Sequence, residues 1–172
     1  MALTLKYYKT FDVGINDPKF GTEGAACFDL EYSPYGKKDY SGYNAMNAPF
    51  SRLFGVNGEL IMMPGDRVLV PTGLILEIPT GHSVRVHARS GKAIKEGLTL
   101  INAEGIIDSD YFHECFVPLI NNSDSPATIK PHDRIAQAEL IKNLSYDLKE
   151  TKDQPKQTTS RIGGFGSTDK TK

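Results

Sequence analysis

Near the middle of the chain a carboxylate is followed closely by an aromatic ring, in Asn102-Ala-Glu-Gly-Ile-Ile-Asp-Ser-Asp-Tyr111. Asp108 follows Ile106 and Ile107, and apolar neighbours are expected to strip water from a carboxylate. Partial dehydration raises basicity and suits proton removal from an attacking water. Tyr111 offers a flat wall of the size of a sugar. The same Asp-Ser-Asp run also has the makings of a turn, because Asp and Ser side chains bond neighbouring backbone amides. Alone, the segment supports either reading.

Other segments carry chemistry of a different kind. Arg89-Ser90-Gly91 puts a guanidinium fork beside a hydroxyl and a glycine that lets backbone N–H groups approach an anion. A solvated surface turn accounts for those three residues equally well. Gly163-Gly-Phe-Gly-Ser-Thr168 surrounds one ring with glycines and ends in two hydroxyls, but lacks the Lys and the preceding strand of a P-loop. The four histidines, His82, His87, His113 and His132, are scattered, and none pairs with another at metal-ligand spacing. His113 and Cys115 share a strand face, yet a zinc centre needs further ligands. Magnesium fits better, since few carboxylates plus phosphates suffice to hold it, and Asp29 is the candidate carboxylate. Asp29 can equally be a strand-end residue that binds backbone.

The elements that must position these groups are short. Sixteen glycines and ten prolines punctuate brief apolar runs, a pattern that predicts an all-β protein. Strands are expected over 25–31, 67–71, 74–78, 83–88, 98–101, 114–120 and 134–141, in a sandwich, barrel or jelly roll. Residues 89–97 form at most one or two helical turns or a loop. The stretch 33–58, rich in Tyr, Gly, Asn, Pro and Lys without sustained alternation, reads as an insertion or long loop packed down by Tyr35, Tyr40, Tyr43 and Phe50. A core domain is expected over 1–142 and a flexible arm over 143–172, because little past Leu148 can be buried.

Bulk properties exclude several classes. At 172 residues with a net charge of −1, the chain fits one domain and carries no global field for nucleic acid or a membrane surface. No apolar run approaches membrane-spanning length, and residues 1–14 lack the apolar core of a secretion signal. Cys27 and Cys115 sit in apolar-leaning segments and are expected to be reduced, buried thiols of a cytoplasmic protein.

Read in order, the segments resemble the five motifs of the homotrimeric dUTP pyrophosphatases, the dUTPases. Ala25-Ala-Cys-Phe-Asp-Leu30 is similar to the first, Arg89-Ser90-Gly91 to the second, the Asn102 to Tyr111 segment to the third, Arg134-Ile-Ala-Gln137 to the fourth, and Gly163-Gly-Phe-Gly-Ser-Thr168 to the fifth. The resemblance implies a distorted jelly roll (β-clip) with a flexible C-terminal tail, assembled as a trimer whose active sites each draw on three chains. It implies magnesium-assisted hydrolysis of dUTP to dUMP and pyrophosphate, which lowers dUTP and supplies dUMP for thymidylate synthesis. On this resemblance Asp108 activates the water that attacks the α-phosphorus, Tyr111 stacks on deoxyribose, and Asn102, Gly105, Ile106, Ile107 and Phe116 read uracil. Arg89, Ser90, Gly91 and Gln137 line the phosphate and water side, and Asp29 holds a water on the magnesium. Phe165 closes over the base, while Arg161, Gly166, Ser167 and Thr168 reach the phosphates.

The chain departs from that pattern in places. The tail spacing is one residue short, at Arg161-Ile-Gly-Gly-Phe165, and His113 and His132 stand where glycine is usual. Lys92 follows the Arg-Ser-Gly, and 33–58 exceeds the usual connection. Two other readings compete: a dCTP deaminase, alone or bifunctional, with Glu114 as its acid/base, and a non-catalytic nucleotide sensor with 33–58 as contact surface for a regulatory protein.

Overall fold

The computed structural model describes residues 3–160 and Gly163. In chain order the described elements are β1 (Lys6–Lys9), β2 (Phe28–Glu31), β3 (Asp39–Tyr43), β4 (Pro49–Leu53), β5 (Leu60–Met62), β6 (Arg67–Pro71), β7 (Leu74–Glu77), β8 (His82–Ala88), α1 (Ser90–Glu96), β9 (Leu98–Leu100), β10 (Glu104–Asp108), β11 (Phe116–Asn121), β12 (Ala127–Ile129) and β13 (Arg134–Lys142). One sheet has the order β10-β8-β13-β2 and a second β4-β3-β6-β11-β9, with two-stranded pairs β1-β7 and β12-β5 beside them. Every ladder is antiparallel. The expected all-β class is the one observed.

Alternation explains the layering. Successive strand residues face opposite sides, so Val68 and Val70 of β6, Val117 and Leu119 of β11, and Val84 and Val86 of β8 all enter one buried cluster. Burial of each such side chain contributes about 1.5–3 kcal/mol. The intervening residues of β8 and β13 turn outward, which places Arg85, His87, Gln137 and Glu139 together on the outer face of the first sheet.

Within 33–58, expected to be irregular, β3 and β4 form a hairpin whose β3 strand pairs with β6. Gly42 permits that approach, since a Cβ there would lie 2.1 Å from the Arg67 carbonyl oxygen. Tyr40 is buried and donates from its hydroxyl to the Ile61 carbonyl at 2.7 Å, and Arg52 pairs with buried Asp66. The expected packing role of Tyr40 and Phe50 is observed as an edge-on ring contact at 6.3 Å. Residues 89–97, left open between helix and loop, hold α1, ended by Gly97.

Four further strands, β1, β5, β10 and β12, fall where no strand was expected. Past Lys142, residues 143–160 adopt neither helix nor strand. Arg161, Phe165, Gly166, Ser167 and Thr168 lie outside the described residues. Cys115 is buried as expected, whereas Cys27 is only half-buried, and both are free thiols. No helix among the described residues is long and apolar enough to cross a membrane.

Candidate active site

A cleft of about 460 Å³ opens where β10 meets β6, β9 and β11 of the other sheet. Asn102, Gly105, Ile106, Ile107, Asp108, Tyr111 and Phe116 all line it. That volume suits a nucleoside, since ligand pockets of this type span roughly 300–1,000 Å³. As the edge strand of its sheet, β10 turns alternate peptide groups away from β8, and these can hydrogen-bond a planar polar ring. Gly105 is buried against β8, and a Cβ there would come within 3.0 Å of Val86 Cβ and 3.7 Å of the Asn102 amide nitrogen. A larger residue would therefore lift the cleft floor. Ala103 bends the chain at φ 57, a region costly for a residue with a side chain, and so sets Asn102 at the rim.

Asp108 ends β10 and opens the turn, with the Tyr111 amide donating to its carbonyl at 3.1 Å. The turn reading of the Asp-Ser-Asp run is thus the one observed, and it leaves the Asp108 side chain at the cleft. The expected dehydration is not observed: Asp108 is exposed. Alternation is the reason, since Ile106 points outward at 56% exposure and Ile107 packs against the core, so neither covers the carboxylate. Tyr111 donates to the Glu114 carbonyl at 3.0 Å and meets His113 edge-on at 5.6 Å. His113, which stands where glycine is usual in the pattern the motifs resemble, does not have positive φ, so the turn between β10 and β11 needs no glycine there.

Glu114 turns away from the cleft. Its carboxylate pairs with Lys37 at 2.7 Å and accepts from the Gly73 amide at 2.9 Å. Cys115 lines the cleft as an inert thiol, its pKa pushed up to about 12 by burial and then by the Glu114 charge. Neither residue makes a zinc centre with His113.

A second cluster lies at the far end of β8. Arg89 and Arg134 both donate to Asp29, Arg134 at 3.3 Å to the second carboxylate oxygen. Gln137 stands opposite Asp29 and donates to the Ala88 carbonyl at 3.3 Å. Two guanidiniums share one carboxylate, which leaves one positive charge for an incoming anion. Burial, followed by repulsion from Arg134, holds the Arg89 pKa below its usual range, a cost that a phosphate would relieve. Asp29 retains lone pairs for a metal-bound water, because a carboxylate offers about four acceptor positions.

Arg134 opens the fourth motif but was given no site role from the sequence, and a bulge explains why. The register between β13 and β2 shifts between Arg134 and Ala136, so Ile135 and Ala136 are both buried and Arg134 emerges on the same side as Gln137. Strict alternation would have sent it the other way. Asp110, which also lines the cleft, was passed over as part of the turn.

Ser90 and Gly91 form the start of α1, which has no side-chain cap at Arg89. A Cβ at Gly91 would meet nothing within 4 Å. Its own chain therefore does not require glycine there. Gly91→Ala is expected to leave unfolding unchanged or stabilise α1 by about 0.5–1 kcal/mol, while lowering turnover because a methyl enters the anion's path. Thermal unfolding and turnover measured side by side check this; an unimpaired enzyme would remove Gly91 from the site.

His132, the other histidine at a usual glycine, has φ 70. Its ring nitrogens lie 3.1 Å from the Asn16 amide and 3.0 Å from the Tyr35 hydroxyl, contacts that offset the backbone cost.

The two clusters are far apart in one chain. Asp108 pairs with Ser83, and Arg89 lies six residues further on, just past the end of β8, a separation of about 20 Å at ~3.3 Å per residue.

A nucleoside-sized cleft at a sheet edge and an anion-seeking pair of arginines define a nucleotide-binding β protein. The family model dUTPase matches residues 55–169. The deoxyuridine 5'-triphosphate nucleotidohydrolase of Chlamydia pneumoniae is 42% identical over 157 residues, covering 91% of this chain and 93% of that protein. The protein of the same name from Brucella melitensis biotype 1 is 46% identical over 110 residues, 64% of this chain and 69% of its own. Among solved structures, a mutant dUTPase of Staphylococcus bacteriophage 80alpha with dUpNHpp superposes with a TM-score of 0.74 at 16% identity, covering 97% of this chain and 99% of that one. The chain belongs to the dUTPase family.

Proposed function

We propose that the chain is a dUTP diphosphatase that hydrolyses dUTP to dUMP and pyrophosphate, with Asp108 as general base. The observation that carries the residue roles is the meeting of Asn102, Gly105, Ile106, Ile107, Asp108, Tyr111 and Phe116 around one cleft. Uracil lies along the open edge of β10, where backbone groups and Asn102 match its carbonyls and N–H. Cytosine would leave buried partners unpaired at about 1–3 kcal/mol per mismatch, roughly 5- to 150-fold each. Tyr111 packs on deoxyribose and leaves no room for a ribose 2'-hydroxyl.

Asp108 takes a proton from water, the water oxygen bonds to the α-phosphorus, and the bond to the bridging oxygen breaks as pyrophosphate leaves. Arg89 and Arg134 hold phosphate oxygens, Ser90 and Gly91 flank them, and Gln137 orients the water. Magnesium, when bound to the triphosphate, neutralises its charge, and Asp29 would hold it through a water. The separation of about 20 Å along β8 favours sites shared between subunits of a trimer, so that Asp108 of one chain meets Arg89 of another. The residues from Arg161 to Thr168 close over the nucleotide.

The side-chain partners of Glu114 speak against a deaminase, since its carboxylate already binds Lys37 and the Gly73 amide. Lys37 also ties 33–58 to the cleft-lining end of β11, with its ammonium 5.8 Å from the Phe116 ring. A regulatory partner gripping 33–58 would therefore touch the cleft wall. The test is pyrophosphate release from dUTP beside UTP, dCTP and dTTP, with ammonia followed on dCTP. Cleavage of dUTP far above the others, without ammonia, is expected; ammonia release would select the deaminase.

A further inference from the structure

We propose that Cys27, His87 and Glu139 form a site for a borderline-soft divalent cation of the zinc or cobalt(II) class, on the outer face of the β10-β8-β13-β2 sheet. It requires neither nucleotide nor the roles given to Asp108 and Arg89.

The three ligands come together through strand pairing. On β13 and β8, Gln137 stands opposite His87 and Glu139 opposite Arg85, so His87 and Glu139 are diagonal neighbours on one face. Cys27 immediately precedes β2, whose Phe28 pairs with Ala138, and this brings its thiol beside Glu139. One Cys27 sulfur, one His87 nitrogen and one Glu139 oxygen all lie within 4.8 Å of one another. His87 Nε2 lies 3.1 Å from Glu139 Oε1. Zinc–sulfur and zinc–nitrogen bonds of about 2.3 and 2.05 Å imply tetrahedral ligand edges of about 3.4–3.6 Å. Side-chain rotation of roughly 1 Å closes the difference. All three residues are half-buried, so the site is reachable yet partly dry.

A fourth residue is placed to orient the histidine toward a cation. Glu104 lies opposite His87 on β10, and its carboxylate is 3.7 Å from His87 Nδ1. A carboxylate at Nδ1 favours the tautomer that carries its proton there and leaves Nε2 to bind metal, the arrangement that commonly orients histidine ligands. Arg85 stands 3.6 Å from the other Glu104 oxygen and steadies it.

The donor set selects the ion. Thiolate with imidazole and one carboxylate suits zinc or cobalt(II), whereas magnesium prefers oxygen and keeps its waters. Three protein ligands leave one position for water. On binding, the Cys27 S–H bond breaks and its proton goes to solvent, the proton that His87 Nε2 donates to Glu139 is exchanged through solvent for one on Nδ1, and sulfur–metal and nitrogen–metal bonds form. The ion would tie β8 and β13 to the segment entering β2, one row along the sheet from Asp29 and Gln137.

The experiment uses the full chain, freed of metal and titrated with cobalt(II) chloride. One cobalt per chain with a thiolate-to-cobalt charge-transfer absorption is expected, and zinc should displace it. Cys27→Ser should abolish the absorption and His87→Gln should weaken binding, each with the parent's circular dichroism. Glu104→Gln should keep the absorption but weaken binding by about 10- to 100-fold, as loss of an orienting partner does. Absence of the absorption, its survival in Cys27→Ser, or unchanged affinity in His87→Gln would overturn the proposal. If Cys27→Ser does not fold, His87→Gln and Glu139→Gln decide by the same titration.

Discussion

Asp108→Asn is expected to bind a non-hydrolysable dUTP analogue as the parent does and to turn dUTP over about 100- to 10,000-fold more slowly, the range typical of a lost general base. The amide matches the carboxylate in size, and Asp108 is exposed at the end of β10, so little in the fold depends on its charge. The cleft walls remain, because Gly105, Tyr111 and Phe116 are untouched. Calorimetry with the analogue and single-turnover hydrolysis separate binding from chemistry. Turnover near the parent's value would remove Asp108 from the base role.

Arg89→Ala should lower kcat/KM by about 100- to 1,000-fold, the scale seen when one preorganised donor to a developing charge is removed. The loss has two parts. The guanidinium no longer meets the phosphates, and Asp29 is left with Arg134 as its remaining arginine partner. Arg89→Lys should recover little, because an ammonium cannot reproduce a fork that spans Asp29 and an anion at once. Full activity in the Lys variant would mean that only charge, not geometry, matters. Unfolding midpoints of both variants keep loss of binding distinct from loss of fold.

The proposed uracil and sugar side of the site was legible because it is nearly continuous in sequence: β10, the turn after it and the start of β11, from Asn102 to Phe116, supply the residues named in advance. The central strands were legible for a related reason. In β6, Val68 and Val70 alternate with Leu69, and the bounds 67–71 match the observed strand. The hairpin in 33–58 was hidden because β3 carries only Tyr40 into the core and its Gly42 reads as a breaker. Only the neighbouring Arg67 carbonyl shows why glycine belongs there. Arg134 was hidden by a bulge that no local pattern announces. The exposure of Asp108 was misjudged because adjacency in sequence is not adjacency on a strand face. Cys27, His87 and Glu139 lie far apart in the chain, and their meeting follows from register alone.

The central claim is that each site joins the Asn102 to Phe116 segment of one chain to the arginine cluster of another. Co-refolding equal amounts of Asp108→Asn and Arg89→Ala chains tests it most directly, since each variant alone is nearly inactive. With random mixing and the two clusters drawn from different chains, about a quarter of sites combine an intact Asp108 with an intact Arg89. The account predicts recovery of about a quarter of the parent's dUTP hydrolysis. If both clusters of a site came from one chain, no site would be intact, and a mixture no more active than the separate variants would contradict the account.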